Sequence, residues 1–156
     1  MIQVLLVDDH VDVREGLAAV LNGDPELRVI AQAEGADELV RRLHVTSPDV
    51  VMIDLNLQGG SGLDLCRRIW GTGGGLRIVG LADGRDVEVV AEAFEAGAHG
   101  VLLKGASPCM IREACRTVAR GDVFVDPAVA ARLLRLEARR LDEQPEAAPR
   151  AIVSEE

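Results

Sequence analysis

The stretch Val50-Val51-Met52-Ile53-Asp54 decides the fold. Four consecutive apolar residues read as a strand covered on both faces, the pattern of a parallel sheet held between helical layers. The run stops at a carboxylate, and open α/β sheets bind their ligands just outside the carboxyl ends of their strands. Asp54 is therefore the expected chemical centre of the chain. Residues 4–7 repeat the arrangement, apolar up to Val7 and then Asp8 and Asp9. Residues 100–104, Gly-Val-Leu-Leu-Lys, repeat it again and end on Lys104.

Helical patterns fill the intervals. Val13, Leu17, Val20 and Leu21 lie on one face of a helix closed by Asn22-Gly23-Asp24-Pro25. A strand is expected over residues 27–33, followed by a helix marked by Ala36, Leu39, Val40 and Leu43, which Ser47-Pro48 ends. After Asp54 a glycine-rich turn, residues 58–62, opens a helix carrying Leu63, Cys66, Ile69 and Trp70. The Gly71-Thr72-Gly73-Gly74-Gly75 run follows a helix and precedes a strand, the reverse of a phosphate-binding loop, so it reads as a connector. Residues 76–81 form the fourth strand, and Val87, Val90, Ala91 and Phe94 mark the fourth helix. Ser107-Pro108 caps a fifth helix that buries Ile111, Ala114, Cys115 and Val118. Five strands alternating with five helices predict an α/β fold, a doubly wound five-stranded parallel sheet with helices on both faces. That unit ends near residue 121. Asp126-Pro127 caps one more helix to about Leu141, whose Arg132, Arg135, Arg139 and Arg140 read as an exposed face balanced by Glu137. The expected organisation is a domain over 1–121, a linker helix within 122–141 and a flexible tail over 142–156, where acids and two prolines replace apolar residues.

The chain has 156 residues, 48% of them hydrophobic, enough for one domain with a core of its own. Its net charge of −9 argues against this chain alone gripping a nucleic-acid backbone. Cys66, Cys109 and Cys115 show no metal-ligand spacing and are expected to be small buried apolar residues. With no signal peptide and no run long enough to span a membrane, a soluble cytoplasmic protein is expected.

At the strand ends, Asp8, Asp9 and Asp54 would converge and repel one another unless a cation joins them. Mg2+ suits such a site because it takes hard oxygen ligands and keeps positions open for water and phosphate. Lys104 adds a mobile positive charge. Three acids, a hard cation and a lysine fit phosphoryl transfer, in which an aspartate can be the nucleophile. One Asp after a strand is usually a turn or cap residue, and one Lys there is usually solvated, but four such residues in one sheet are a much rarer coincidence.

These residues resemble the receiver domain of bacterial two-component response regulators. The blocks Val-Leu-Leu-Val-Asp8-Asp9-His10, Pro48-Asp49-Val-Val-Met-Ile-Asp54 and Gly100-Val-Leu-Leu-Lys104 match its signature in order and spacing over residues 1 to about 121. The resemblance implies a flavodoxin-like strand order, 2-1-3-4-5. It further implies that Asp54 accepts a phosphoryl group from a histidine kinase, and that Asp8, Asp9 and Asp54, with the main-chain carbonyl of Asn56, hold Mg2+. Lys104 would contact the phosphoryl group, and activation would bring homodimerisation. The helix after Asp126-Pro127 resembles the linker of the NarL/LuxR subfamily, which leads to a helix-turn-helix domain. That output domain, through which DNA would be bound and transcription controlled, is absent from this sequence. Val153-Ser154-Glu155-Glu156 resembles the cap of its first helix, as in a truncated chain.

Two positions depart from the family. Where a Ser or Thr usually ends the fourth strand stands Ala82, and where an aromatic residue usually moves with that hydroxyl stands Val101. Gln58 replaces a common proline. Phosphorylation without the usual switch is the expectation. The alternative is an atypical receiver, acting as an interaction or dimerisation module without phosphorylation. A phosphatase of the haloacid dehalogenase type would need Asp-x-Asp on its nucleophile strand, whereas the chain offers Asp8-Asp9 and Asp54-Leu55-Asn56, so no enzyme is expected.

Overall fold

A computed structural model describes residues 1–58, 61–84 and 87–143. Six β/α units follow one another: β1 (Ile2–Val7), α1 (Val11–Asn22), β2 (Leu27–Ala33), α2 (Ala36–Val45), β3 (Val50–Asp54), α3 (Gly62–Thr72), β4 (Arg77–Ala82), α4 (Val87–Glu95), β5 (Gly100–Leu103), α5 (Pro108–Ala119), β6 (Phe124–Val125) and α6 (Pro127–Glu143). The strands form one parallel sheet in the order β2-β1-β3-β4-β5-β6. The doubly wound order expected from the sequence is present, and the two-residue β6 extends it by pairing Phe124 with Gly100 and Val125 with Val101.

The central strand shows why the opening stretch has no polar face. Val50, Val51, Met52, Ile53 and Asp54 are all fully buried. Val51 and Ile53 join Leu5, Val7, Ile78 and Val101 in one core layer, under α2, α3, α4 and α6. Val50 and Met52 join Val4, Leu6, Val79 and Leu102 in the other, under α1 and α5. Burying one such aliphatic side chain contributes about 1.5–3 kcal/mol, so β3 anchors both layers.

Helix boundaries follow their capping chemistry. The Ser61 hydroxyl accepts from the N–H groups of Leu63 and Asp64, and that of Ser107 from Met110, with Pro108 in the first turn of α5. The glycine run expected as a connector begins inside α3, and Gly73, at φ 68°, caps that helix in the left-handed region. On α1 the buried face is Arg14, Leu17 and Leu21, while Val13 is exposed, a shift of one residue from the expected stripe. Trp70 is likewise exposed. Arg116 of α5 pairs with Asp24 beyond α1, and the N–H of Glu26 together with that guanidinium holds the Asp24 carboxyl below its ordinary range.

The cysteines divide. Cys66 and Cys115 are buried, and burial pushes their thiols up to about 11 and about 12, so both are inert core groups. Cys109 is exposed, against expectation, because it falls on the solvent side of the first turn of α5. α6 is anchored by Val129 and half-buried Leu133, and of its arginines Arg140 pairs with Glu137 while Arg132 donates to the Gly84 carbonyl. Of the expected flexible tail over 142–156, residues 142 and 143 close α6, while those from 144 onward, like Gly59-Gly60 of the glycine-rich turn, lie outside the described residues. Among the described residues no helix is long and apolar enough to cross a membrane.

Candidate phosphoryl-acceptor site

Parallel pairing of β1 with β3 sets Val7 beside Ile53, so the next residues, Asp8 and Asp54, leave the sheet side by side. Both are buried, at 1% and 0% exposure. The two oxygens of Asp54 have different surroundings. Oδ1 accepts from the Asn56 N–H at 2.9 Å and lies 3.0 Å from the Lys104 ammonium. Oδ2 is buried and makes no hydrogen bond among the described residues, as is also true of Asp8 Oδ2 and Asp9 Oδ1. Buried carboxylate oxygens without a partner are costly, and such an arrangement calls for a cation. Asp8, Asp9, His10 and Asp54 each place one ligand atom within 4.8 Å of all the others. Asp9 turns its other oxygen to the Gln58 N–H at 3.0 Å, tying the β1 loop to the loop after β3.

The structure thus brings together Asp8, Asp9, Asp54 and Lys104, with Asn56 beside them through its main chain. The carboxylate oxygens of this set, with their orphaned buried atoms, fit a hard divalent ion such as Mg2+. Ala82 and Val101 are fully buried in the same core layer, and no hydroxyl stands at the end of β4. The Ala82 carbonyl accepts from the Lys104 N–H at 3.0 Å, so sheet pairing sets the lysine's backbone.

Two supporting residues have no counterpart in the sequence reading of the site. Arg14, nine-tenths buried, donates to the Asp8 carbonyl at 2.6 Å and to Gln32 Oε1 at 3.3 Å, and lies 3.8 Å from the Glu34 carboxylate. It holds the Asp8 backbone from behind. Asp126, foreseen only as a cap, is 2% exposed. Its Oδ1 accepts from the Ala128 N–H at 2.9 Å, while its Oδ2 accepts from the Leu103 N–H at 3.0 Å, one residue before Lys104. One carboxylate therefore fastens α6 to the strand end that carries the lysine. Asp126→Ala would orphan the Leu103 amide and uncap α6, and is expected to lower stability by about 1–3 kcal/mol. Denaturant unfolding checks this, and a loss below about 0.5 kcal/mol would show that the bond is not holding the helix.

Comparison with known proteins agrees with this geometry. Residues 4–116 match the response regulator receiver domain family. Over 134 residues, 86% of the chain, it is 35% identical to the DNA-binding transcriptional activator DevR/DosR of Mycobacterium tuberculosis and 37% identical to the transcriptional regulatory protein LiaR of Bacillus subtilis. The aligned part spans 62% and 64% of those two proteins, less than two thirds of either. A crystal structure of a LuxR-family two-component response regulator from Aurantimonas sp. superposes with a TM-score of 0.81 at 32% identity, covering 87% of this chain and 97% of that one. With that family matched over residues 4–116, most of its length, the chain belongs to the response regulator receiver domain family.

Proposed function

We propose that Asp54 accepts a phosphoryl group from a histidine kinase, and that this modification controls a transcriptional output domain outside this sequence. One observation carries the reading: the two oxygens of a fully buried Asp54 are differentiated, Oδ1 beside Lys104 and Oδ2 buried without a hydrogen bond among the described residues. Oδ1 is then the attacking oxygen. As its bond to phosphorus forms and the bond to the kinase imidazole breaks, Lys104 is free to move from the carboxylate to the phosphoryl oxygens. Asp8, Asp9, Asp54 and the Asn56 carbonyl would hold Mg2+, which when bound neutralises the clustered acids and the incoming phosphate. Such transfer is mostly positioning and charge neutralisation, and the chain acts as a signalling partner in the cytoplasm rather than as a turnover enzyme. In this reading residues 1–121 are the receiver and 122–141 the linker helix.

A second reading, an interaction module that needs no phosphorylation, is favoured by one specific feature, the absence of a hydroxyl at Ala82. A hydrogen bond to a charged group contributes about 1.5–3 kcal/mol, a large part of the roughly 5.5 kcal/mol that inverts a two-state population. Phosphorylation is therefore expected to couple weakly to dimerisation. Saturating Mg2+ and beryllium fluoride should shift the amide resonances of Asp54, Asn56 and Lys104 while leaving most of the chain monomeric. Ala82→Thr should then raise the dimerisation constant roughly ten- to a hundredfold. Resonances that do not move would favour the second reading, and strong dimerisation indifferent to Ala82→Thr would contradict weak coupling.

A further inference from the structure

His10 stands in the acid pocket without a role in the reading above. It occupies the N-cap position of α1, yet its side chain makes no capping bond to that helix. The ring turns inward instead. Its Nδ1 lies 3.1 Å from Asp8 Oδ1 and 3.0 Å from Asp9 Oδ1. One imidazole nitrogen can donate to at most one of the two, and Asp9 Oδ1 gains no hydrogen bond from it. Asp8 Oδ2 and Asp54 Oδ2, on residues almost wholly buried, also lack a donor among the described residues. The nitrogen and three carboxylates thus form one ligand set within 4.8 Å. Neighbouring ligands of an octahedral ion with bonds of about 2.0–2.1 Å stand about 3 Å apart, which is the spacing of Nδ1 from both aspartates.

We propose that His10 Nδ1 is a direct metal ligand, so that this pocket favours later first-row transition ions such as Co2+ over Mg2+. The chemistry follows from donor type. Mg2+ is satisfied by oxygen and gains little from an imidazole, whereas ions later in the first row take imidazole readily. The side chain is half exposed, so its replacement tests ligation rather than folding. The inference rests on the cation pocket of the proposed function and deepens it.

The test is a set of titrations of the whole chain with Mg2+ and with Co2+, in the wild type, His10→Ala and Asp54→Ala. Pulsed electron paramagnetic resonance on the Mn2+ form adds a direct readout of nitrogen bound to the ion. His10→Ala should weaken Co2+ binding by roughly ten- to a hundredfold, the scale on which metal sites respond to lost supporting groups, and Mg2+ binding by less than about threefold. The wild type should show nitrogen coupling to Mn2+ that His10→Ala lacks. Equal weakening of both ions, or no nitrogen coupling in the wild type, would overturn the assignment while leaving the Mg2+ pocket standing. Failure of the wild type to bind either ion would overturn the pocket itself and the assignment with it.

Discussion

Gly62→Ala is expected to destabilise the chain by about 3 kcal/mol, at the upper end of the range for overpacked sites. Gly62 opens α3, directly after the Ser61 cap, and its backbone lies against the carboxyl end of β3. A Cβ there would stand 2.4 Å from the Asp54 carbonyl oxygen and 2.6 Å from the Leu55 Cα. Both obstacles are main chain, so no side chain can rotate away. Either α3 withdraws from its cap or the Asp54-Leu55 peptide moves, and the second course disturbs the site. Gly71→Ala, in the same helix, is the control: nothing lies within 4 Å of its added carbon, and alanine improves helix propensity by up to about 1 kcal/mol. Unfolding midpoints of the two variants should therefore move in opposite directions. Equal stability of Gly62→Ala and wild type would show that the helix is not pinned to the strand end as described.

The parts of the fold that were legible in the sequence were those in which one physical signal repeats without interruption. β3 is a closed apolar run, and buried parallel strands require that pattern. Asp8, Asp54 and Lys104 were legible because each breaks such a run with a charge at the same end. The shift in α1 had another cause. Counting apolar residues selects Val13, but Arg14 buries its stem and satisfies its guanidinium on Asp8, Gln32 and Glu34, so the packed face rotates by one residue. No apolar periodicity can reveal a buried arginine whose partners are distant in sequence. β6 was missed because two residues carry no period, and only pairing with β5 makes Phe124-Val125 a strand.

The supporting contacts of the site depended most on tertiary structure. Asp126 reads as a cap because Pro follows it, yet its second bond reaches Leu103 across the sheet edge. Gly62 looks like one member of a glycine-rich turn, and its need for a bare backbone comes only from the approach of β3. His10 follows two aspartates in the sequence, but a local string does not show that its ring folds back on both. The departures at Ala82 and Val101 were visible at once, since they are differences in side-chain chemistry at positions fixed by the strand ends. Their complete burial explains why a larger residue there would have to move neighbours, as a switch does.

The claim that most needs testing is that Asp54 is the phosphoryl acceptor. Alanine at this position removes the carboxylate that Lys104 contacts beside the acid pair, so the effect is expected to be complete loss. Incubation of the wild-type chain and Asp54→Ala with Mg2+ and acetyl phosphate, followed by intact mass measurement, decides it. The account predicts one phosphoryl group on the wild type, dependent on Mg2+, and none on Asp54→Ala. Equal phosphorylation of the two chains, or none on a wild type that is folded and binds Mg2+, would contradict it.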